Sequence, residues 1–537
     1  MQKVTNRDIL SAVVRNLKLK NQFGSDGLRG KKAIINILSS SVLQVITLVC
    51  GLIVPRVIIG TYGSEINGMM NSIAQFLGYI VLLESGVGVV ARSALYKPVA
   101  DKDGNKISGI VMAAEGFFRK ICFTFIAYSV VVACVFPFMV DGDYDWFFTF
   151  SLVMIICIST VSQYYFGITY QFLVQADQKR YVTEIAQAAT LVLNALVVII
   201  SVKLGAGVHI MKLASSLVFA LRPIVINIYV RKKYNINRKT VPDKGALSQR
   251  WDGLAHHIAF FIHLNTDVVI LTIFSKISNA FSIAEVSVYS VYYSIIYGIE
   301  KISNILHSAV EAAFGNMLAK GEKKLLKQNF RVYESLSMMM NTFLFTCTGA
   351  LAVPFVSVYM ADVTDADYIR PMFAYVLTMA EAMFCLRKPY NNVTLAAGHF
   401  HQTKKGAFVE AGLNVALSII LVIPFGITGV ALATLISMSL RTFEYVRYLY
   451  KYILEEKLTA FIVRLAVNFL ACAATMVTVQ LISSEFVKSF GTFFVYAVIV
   501  AFICGVFVSV FNLIFFAKDF KFITIKAVST IKNFKKK

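Results

Sequence analysis

The sequence is short of charge and of the residues that punctuate or cross-link a water-soluble domain. Of 537 residues only 15% are charged, there are 9 prolines and 2 tryptophans, and the 8 cysteines include no CxxC pair. Cys50, Cys134, Cys157, Cys385 and Cys504 each stand alone in an apolar run, so they read as small apolar fillers, with no disulfide framework or zinc cluster. Long polar stretches are missing too, and no loop is long enough to fold as a domain beside the apolar runs. GxxxxGK[ST], HExxH and GxSxG are absent, as is an acidic motif for metal-assisted glycosyl transfer. The AspGlyAspTyrAsp stretch at 141–145 lacks the remaining ligands of a calcium loop and reads as a turn. These gaps argue against an enzyme and predict no catalytic residue, no cofactor and no resident metal.

Apolar surface is what the chain has in excess. It is 57% hydrophobic with a mean hydropathy of +0.68, too apolar for one water-soluble core. Runs of roughly 20 apolar residues recur along the chain, and backbone groups in lipid must be satisfied within their own segment. The expectation is an all-α integral membrane protein of about fourteen transmembrane helices. The formal net charge is +22, but the bases collect in short gaps between apolar runs. That distribution points to anionic lipid headgroups as partner and away from nucleic acid.

Topology follows from those gaps. Lys97, Lys102 and Lys106, then Lys179 and Arg180, then Arg231, Lys232 and Lys233, alternate with gaps holding Asp141, Asp143 and Asp145 or Asp362, Asp365 and Asp367. The positive-inside rule then puts both termini in the cytoplasm. The expected organisation is a basic cytoplasmic segment 1–32, a six-helix lobe 33–230, a basic linker 231–251 and a second six-helix lobe 252–450. Helices 13 and 14 follow over 459–516, then a basic tail 517–537. The first segment has no apolar signal-peptide core; Ile9, Leu10, Val13, Val14 and Leu17 on one face suggest either a basic amphipathic helix on the membrane surface or a frayed tail.

A shift of about 220 residues lays the first six helices on the next six. Glu65 meets Glu285, Asn194 meets Asn414 and, one residue out of step, Arg222 meets Arg441. Two parallel pseudo-repeats with a substrate path between them are expected, the last two helices standing outside the repeat.

Ionisable residues inside lipid are costly and face a bundle interior or a watery cavity, so they mark candidate sites. His256, Phe260, His263 and Asp267 share one face of the seventh helix, with Asp267 about 20 Å along it. Asp267 with His263 suits binding and release of H+ or Na+; a structural Asp–His contact is the plainer alternative. Glu84 and Glu300 are further coupling candidates. In the eighth helix Tyr289, Tyr293 and Tyr297 repeat at helical spacing as a flat surface for sugar rings or as ordinary packing. Arg92, Lys301, Arg222, Arg387 and Arg441, with Lys388, form a basic belt that either holds a diphosphate or snorkels to headgroups.

ProArgValIleIleGlyThrTyrGly at 55–63, AsnThrAspValValIleLeu at 265–271 and ValTyrSerValTyrTyr at 288–293 resemble Wzx-type polysaccharide flippases (O-antigen, capsule or teichoic-type) of the multidrug/oligosaccharidyl-lipid/polysaccharide (MOP) superfamily. The resemblance implies a MATE-like fold in the bacterial inner (cytoplasmic) membrane and alternating-access export of an undecaprenyl-diphosphate-linked oligosaccharide. It also implies an ion gradient as driver, a cationic cavity mapped onto Arg92 and Lys301 (Arg56 only if it turns inward), a monomer, and association with a polysaccharide polymerase or glycosyltransferases. The competing readings are a multidrug or organic-cation antiporter of the same architecture and, behind it, a membrane-embedded polymerase.

Overall fold

The computed structural model describes residues 27–520, apart from 85–86, 141–143, 244, 247–253, 278–281, 483 and 485; some helical side chains, including 254–260 and 262–264, are also left aside. The amphipathic segment around Ile9–Leu17 lies outside the described residues, as do the side chains of His256 and His263. All described elements are helical: α1 (Gly27–Tyr62), α2 in pieces (Ser64–Gly78, Val81–Glu84, Val87–Asp101), α3 (Gly104–Val135), α4 (Trp146–Ala176), α5 (Arg180–Lys203), α6 (Val208–Lys233) and α7 (Leu254–Ile277). There follow α8 (Ala284–Ala319), α9 (Lys323–Tyr359), α10 (Pro371–Ala396), α11 and α12 within Phe400–Leu449, α13 (Thr459–Gln480) and α14 (Phe490–Phe515).

Among the described residues 10 helices are long and apolar enough to cross a membrane. One of them, Gln402–Leu454, holds both α11 and α12. α7, α8 and α10 are long helices outside that set; α8 carries Glu300 and Lys301, and α10 carries Glu381, Arg387 and Lys388. The chain is thus an all-α membrane protein. Large apolar side chains such as Leu196, Phe469 and Phe502 remain exposed, as expected where lipid replaces water.

Three helices depart from the unbroken spans expected of them. α2 stops after Gly78, a poor helix former, and restarts at Val81. In α4 a π turn at Gln163–Gly167 adds a residue to the winding. Asn227 Nδ2 from α6 donates to the Phe166 carbonyl there at 3.0 Å. The α11–α12 reversal rests on Gly426, with φ 56° and ψ −134°, a conformation open essentially to glycine alone.

The repeat is visible in matched contacts. Asn194 accepts from Ser215 at 2.6 Å between α5 and α6, and Asn414 donates to Thr434 at 2.9 Å between α11 and α12. Glu65, opening α2, accepts from Tyr144 in the loop before α4, while Glu285, opening α8, accepts from Arg370 in the loop before α10. Both pairs join a helix start to the second following loop.

The chain forms two compact units. The first comprises residues up to Val54, Leu83–Val131 and Ser151–Asp252; the second comprises Pro55–Leu82, Val132–Phe150 and Gly253 onward. Leu95, Val111, Tyr170, Leu173, Ile226 and Val230 fill the first core. In the second, Phe330, Tyr390, Tyr445 and Leu449 pack with Phe461 of α13. Glu334 of α9, 1% exposed, reinforces this attachment by pairing with Arg464 of α13 and accepting from Tyr390 and Tyr450 at 2.7 and 2.8 Å. Arg464 also reaches Asp519 beyond α14 at 2.8 Å.

Candidate functional site

The basic residues of the expected belt fall into two electrostatic classes. In the second unit Arg387 donates to Glu410 at 2.5 Å, and Arg441 pairs with Glu444 at 2.6 Å and Glu410 at 3.6 Å. Arg441 also reaches the Thr403 carbonyl and the Tyr445 hydroxyl. Lys388 bonds Glu300 at 2.9 Å and Asn304 at 2.5 Å. These bases are buried and neutralised on the spot, the arrangement that a low-dielectric interior demands of a fixed charge. Arg387 and Arg441 therefore hold α10, α11 and α12 together, and Glu300 serves as counter-ion to Lys388.

Other bases keep their charge. In the first unit Arg222 donates Nη2 to Gln163 Oε1 at 2.5 Å, its Nε being buried without a partner among the described residues. Arg92 donates to Gln175 Oε1 at 3.1 Å. Both acceptors are neutral amides on α4: Gln163 opens the π turn and Gln175 lies in the helix after it. Glu84 on the same unit accepts from Tyr164 at 2.9 Å, next to Gln163. α4 thus holds an acid and two arginines through uncharged side chains, the three charged groups each half-buried.

In the second unit Lys301 lies with Nζ 4.1 Å from the centroid of Tyr297, a cation–π seat that leaves its charge in place. Tyr297 stacks on Tyr293 with centroids 5.7 Å apart and Tyr293 on Tyr289 at 5.9 Å. The expected tyrosine face exists as a ladder whose buried end is Tyr289 and whose exposed end is Tyr297.

Asp267, 4% exposed, accepts at Oδ2 from Tyr289 at 2.8 Å and from Thr434 at 3.1 Å. Its described partners are hydroxyls. Asp267 Oδ1, Asn414 Oδ1 and Ser418 Oγ are buried and lack hydrogen-bond partners among the described residues. Asp267 and Asn414 are joined through Thr434, and Ser418 lies one turn along α11 from Asn414. An orphaned carboxylate oxygen and two further orphaned oxygens offer hard, oxygen-only ligands for a small cation.

Sequence reasoning used Asn414 only as a repeat landmark and passed over Thr434, Ser418 and Glu381. Glu381, in α10, is 5% exposed and buried near Asp267 and Lys388. An acid inside the apolar run Pro371–Ala396 was the available signal for it. Asn, Thr and Ser carry no comparable signal, being common in membrane helices. Lys212, half-buried in α6, was also passed over.

No protein-family model matches the sequence, and no curated protein matches it either. Solved structures do match. A structure described as the lipid II flippase MurJ in an inward closed conformation superposes with a TM-score of 0.68 at 13% identity, covering 89% of this chain and 99% of that one. An inward-facing multidrug resistance MATE family transporter of the MOP superfamily gives 0.60 at 13% identity, covering 78% and 98%. The MATE multidrug transporter DinF-BH gives 0.53 at 13% identity, covering 81% and 97%. At such identity the likeness is one of fold, and this chain has the all-α fold shared by MurJ and the MATE transporters.

Proposed function

We propose that this protein is a flippase that moves an undecaprenyl-diphosphate-linked oligosaccharide from the inner to the outer leaflet by alternating access, with a sodium gradient read at Asp267. The carrying observation is the selective neutralisation of its buried bases. Arg387, Lys388 and Arg441 have carboxylate partners, whereas Arg92 and Arg222 are held by glutamines and Lys301 by a tyrosine ring. A half-buried arginine kept charged costs free energy unless an anion completes it. Guanidinium forks suit diphosphate oxygens, and the glutamine contacts orient them without competing for charge. Tyr297, the exposed end of the tyrosine ladder, offers aromatic surface suited to a sugar ring.

Sodium is favoured over a proton by the orphaned oxygens of Asp267, Asn414 and Ser418, which a bound cation satisfies together. A polyprenyl tail needs no binding site in water, since it stays in lipid while the head group crosses.

The organic-cation antiporter remains the second reading, favoured by Glu84 and Glu381, half-buried or buried acids to which no ion pair attaches among the described residues. A cell that depends on this gene for surface glycan separates the two. Arg92→Ala or Lys301→Ala abolishes glycan display with normal membrane insertion if the flippase reading holds. Normal display in both variants, with altered resistance to cationic dyes, supports the antiporter instead.

A further inference from the structure

One face of α8 connects the buried Asp267 to the half-buried charge of Lys301 without a gap. The Tyr289 hydroxyl donates to Asp267 Oδ2 at 2.8 Å. The Tyr289 and Tyr293 rings are stacked at 17°, the Tyr293 and Tyr297 rings at 24°. Lys301 Nζ then sits 4.1 Å above Tyr297. Every member is four residues from the next, so the row climbs α8 for about 18 Å at 1.5 Å per residue. Leucine at these positions would pack as well, but would leave Asp267 with Thr434 as its one described donor and Lys301 with no π face. What sets these tyrosines apart is that one end of their stack is bonded to a carboxylate and the other carries a cation.

We propose that the tyrosine ladder couples occupancy of Asp267 by a cation to the position of Lys301, so that the ion changes the affinity of the second unit for an anionic head group. This rests on the reading of Asp267 as the ion site. A cation bound at the orphaned Oδ1 draws charge away from Oδ2 and weakens the hydrogen bond that Tyr289 donates there. Weakening that bond frees the Tyr289 ring to turn, and stacked rings do not turn one at a time. The displacement reaches Tyr297, and Lys301 leaves or regains its seat. Such coupling is reciprocal: if the ion alters head-group affinity by some factor, the head group alters ion affinity by the same factor. Tyr293 contacts neither ligand and is a positioning residue.

The test uses the full chain in nanodiscs, undecaprenyl diphosphate as the probe, and NaCl against choline chloride at equal ionic strength. In the native protein the two salts give probe affinities differing by about 5-fold or more, the lower end of typical allosteric coupling. Tyr293→Leu still binds the probe in choline and still gains thermal stability from sodium, but its affinity ratio falls to about one. Tyr293→Phe, which keeps the stack, keeps the ratio. A native ratio surviving in Tyr293→Leu overturns the proposal, and so does a native ratio of one accompanied by sodium-dependent stabilisation. Absence of sodium stabilisation in the native protein overturns the ion-site reading beneath it.

Discussion

Arg222 and Gln163 meet at 2.5 Å, a guanidinium held by a neutral amide at the first residue of a π turn. The corresponding arginine of the second repeat, Arg441, is met by two glutamates instead. Two related positions have thus been given opposite electrostatics: one charge is cancelled and the other is kept available. π turns inside α-helices concentrate at functional sites, and this one carries the acceptor that orients Arg222.

Supplying the missing negative charge tests that contrast. Gln163→Glu, which gives Arg222 an internal counter-ion of nearly unchanged shape, lowers head-group transport by about tenfold or more, roughly 1.4 kcal/mol, with unchanged or improved thermal stability. Gln175→Glu does the same for Arg92. Transport rates measured beside melting curves check both; a stable variant with native transport removes these arginines from the substrate path.

The oxygen cluster around Asp267 predicts an ion-specific stabilisation. Binding only to the folded state adds about 2.7 kcal/mol when the ion is at a hundred times its dissociation constant. Sodium therefore raises the melting temperature of the native protein more than choline does, and Asp267→Asn and Asn414→Ala lose that increment. An equal sodium increment in both variants places the ion elsewhere.

The attachment of α13 gives a stability prediction independent of transport. Arg464→Ala leaves Glu334 buried without its cation and costs about 3–5 kcal/mol, whereas Arg331→Ala, whose side chain is 62% exposed, costs about 0–1 kcal/mol. Thermal unfolding in detergent measures both, and comparable losses for the two would contradict the buried-box account.

Gly426→Ala forces a Cβ into a φ 56°, ψ −134° turn and destabilises by about 1–3 kcal/mol. A melting temperature within error of the native value would show that the reversal has room to relax.

Fold was legible in the sequence to the extent that it follows from apolar length and the sidedness of charge. The α11–α12 reversal falls on Gly426, the one residue there whose backbone takes a conformation that other residues avoid. The break in α2 and the π turn in α4 were not legible, since both are settled by what packs against them. At the site, burial cost alone singled out Asp267, Arg92 and Lys301. The pairing that separates Arg387 from Arg222 was hidden, because Glu410 is 23 residues from Arg387 in sequence and Gln163 is 59 from Arg222. A sequence shows that a base is buried; only the fold shows whether an acid meets it.

The most direct measurement is head-group translocation itself. Purified protein is reconstituted in liposomes with a fluorescent undecaprenyl-diphosphate disaccharide, and transfer between leaflets is followed by quenching from outside under an imposed sodium gradient. The account predicts gradient-dependent transfer by the native protein, abolished in Arg92→Ala, Arg222→Ala and Lys301→Ala variants that retain native melting curves. No transfer above protein-free liposomes, together with gradient-driven movement of a cationic dye, would contradict it.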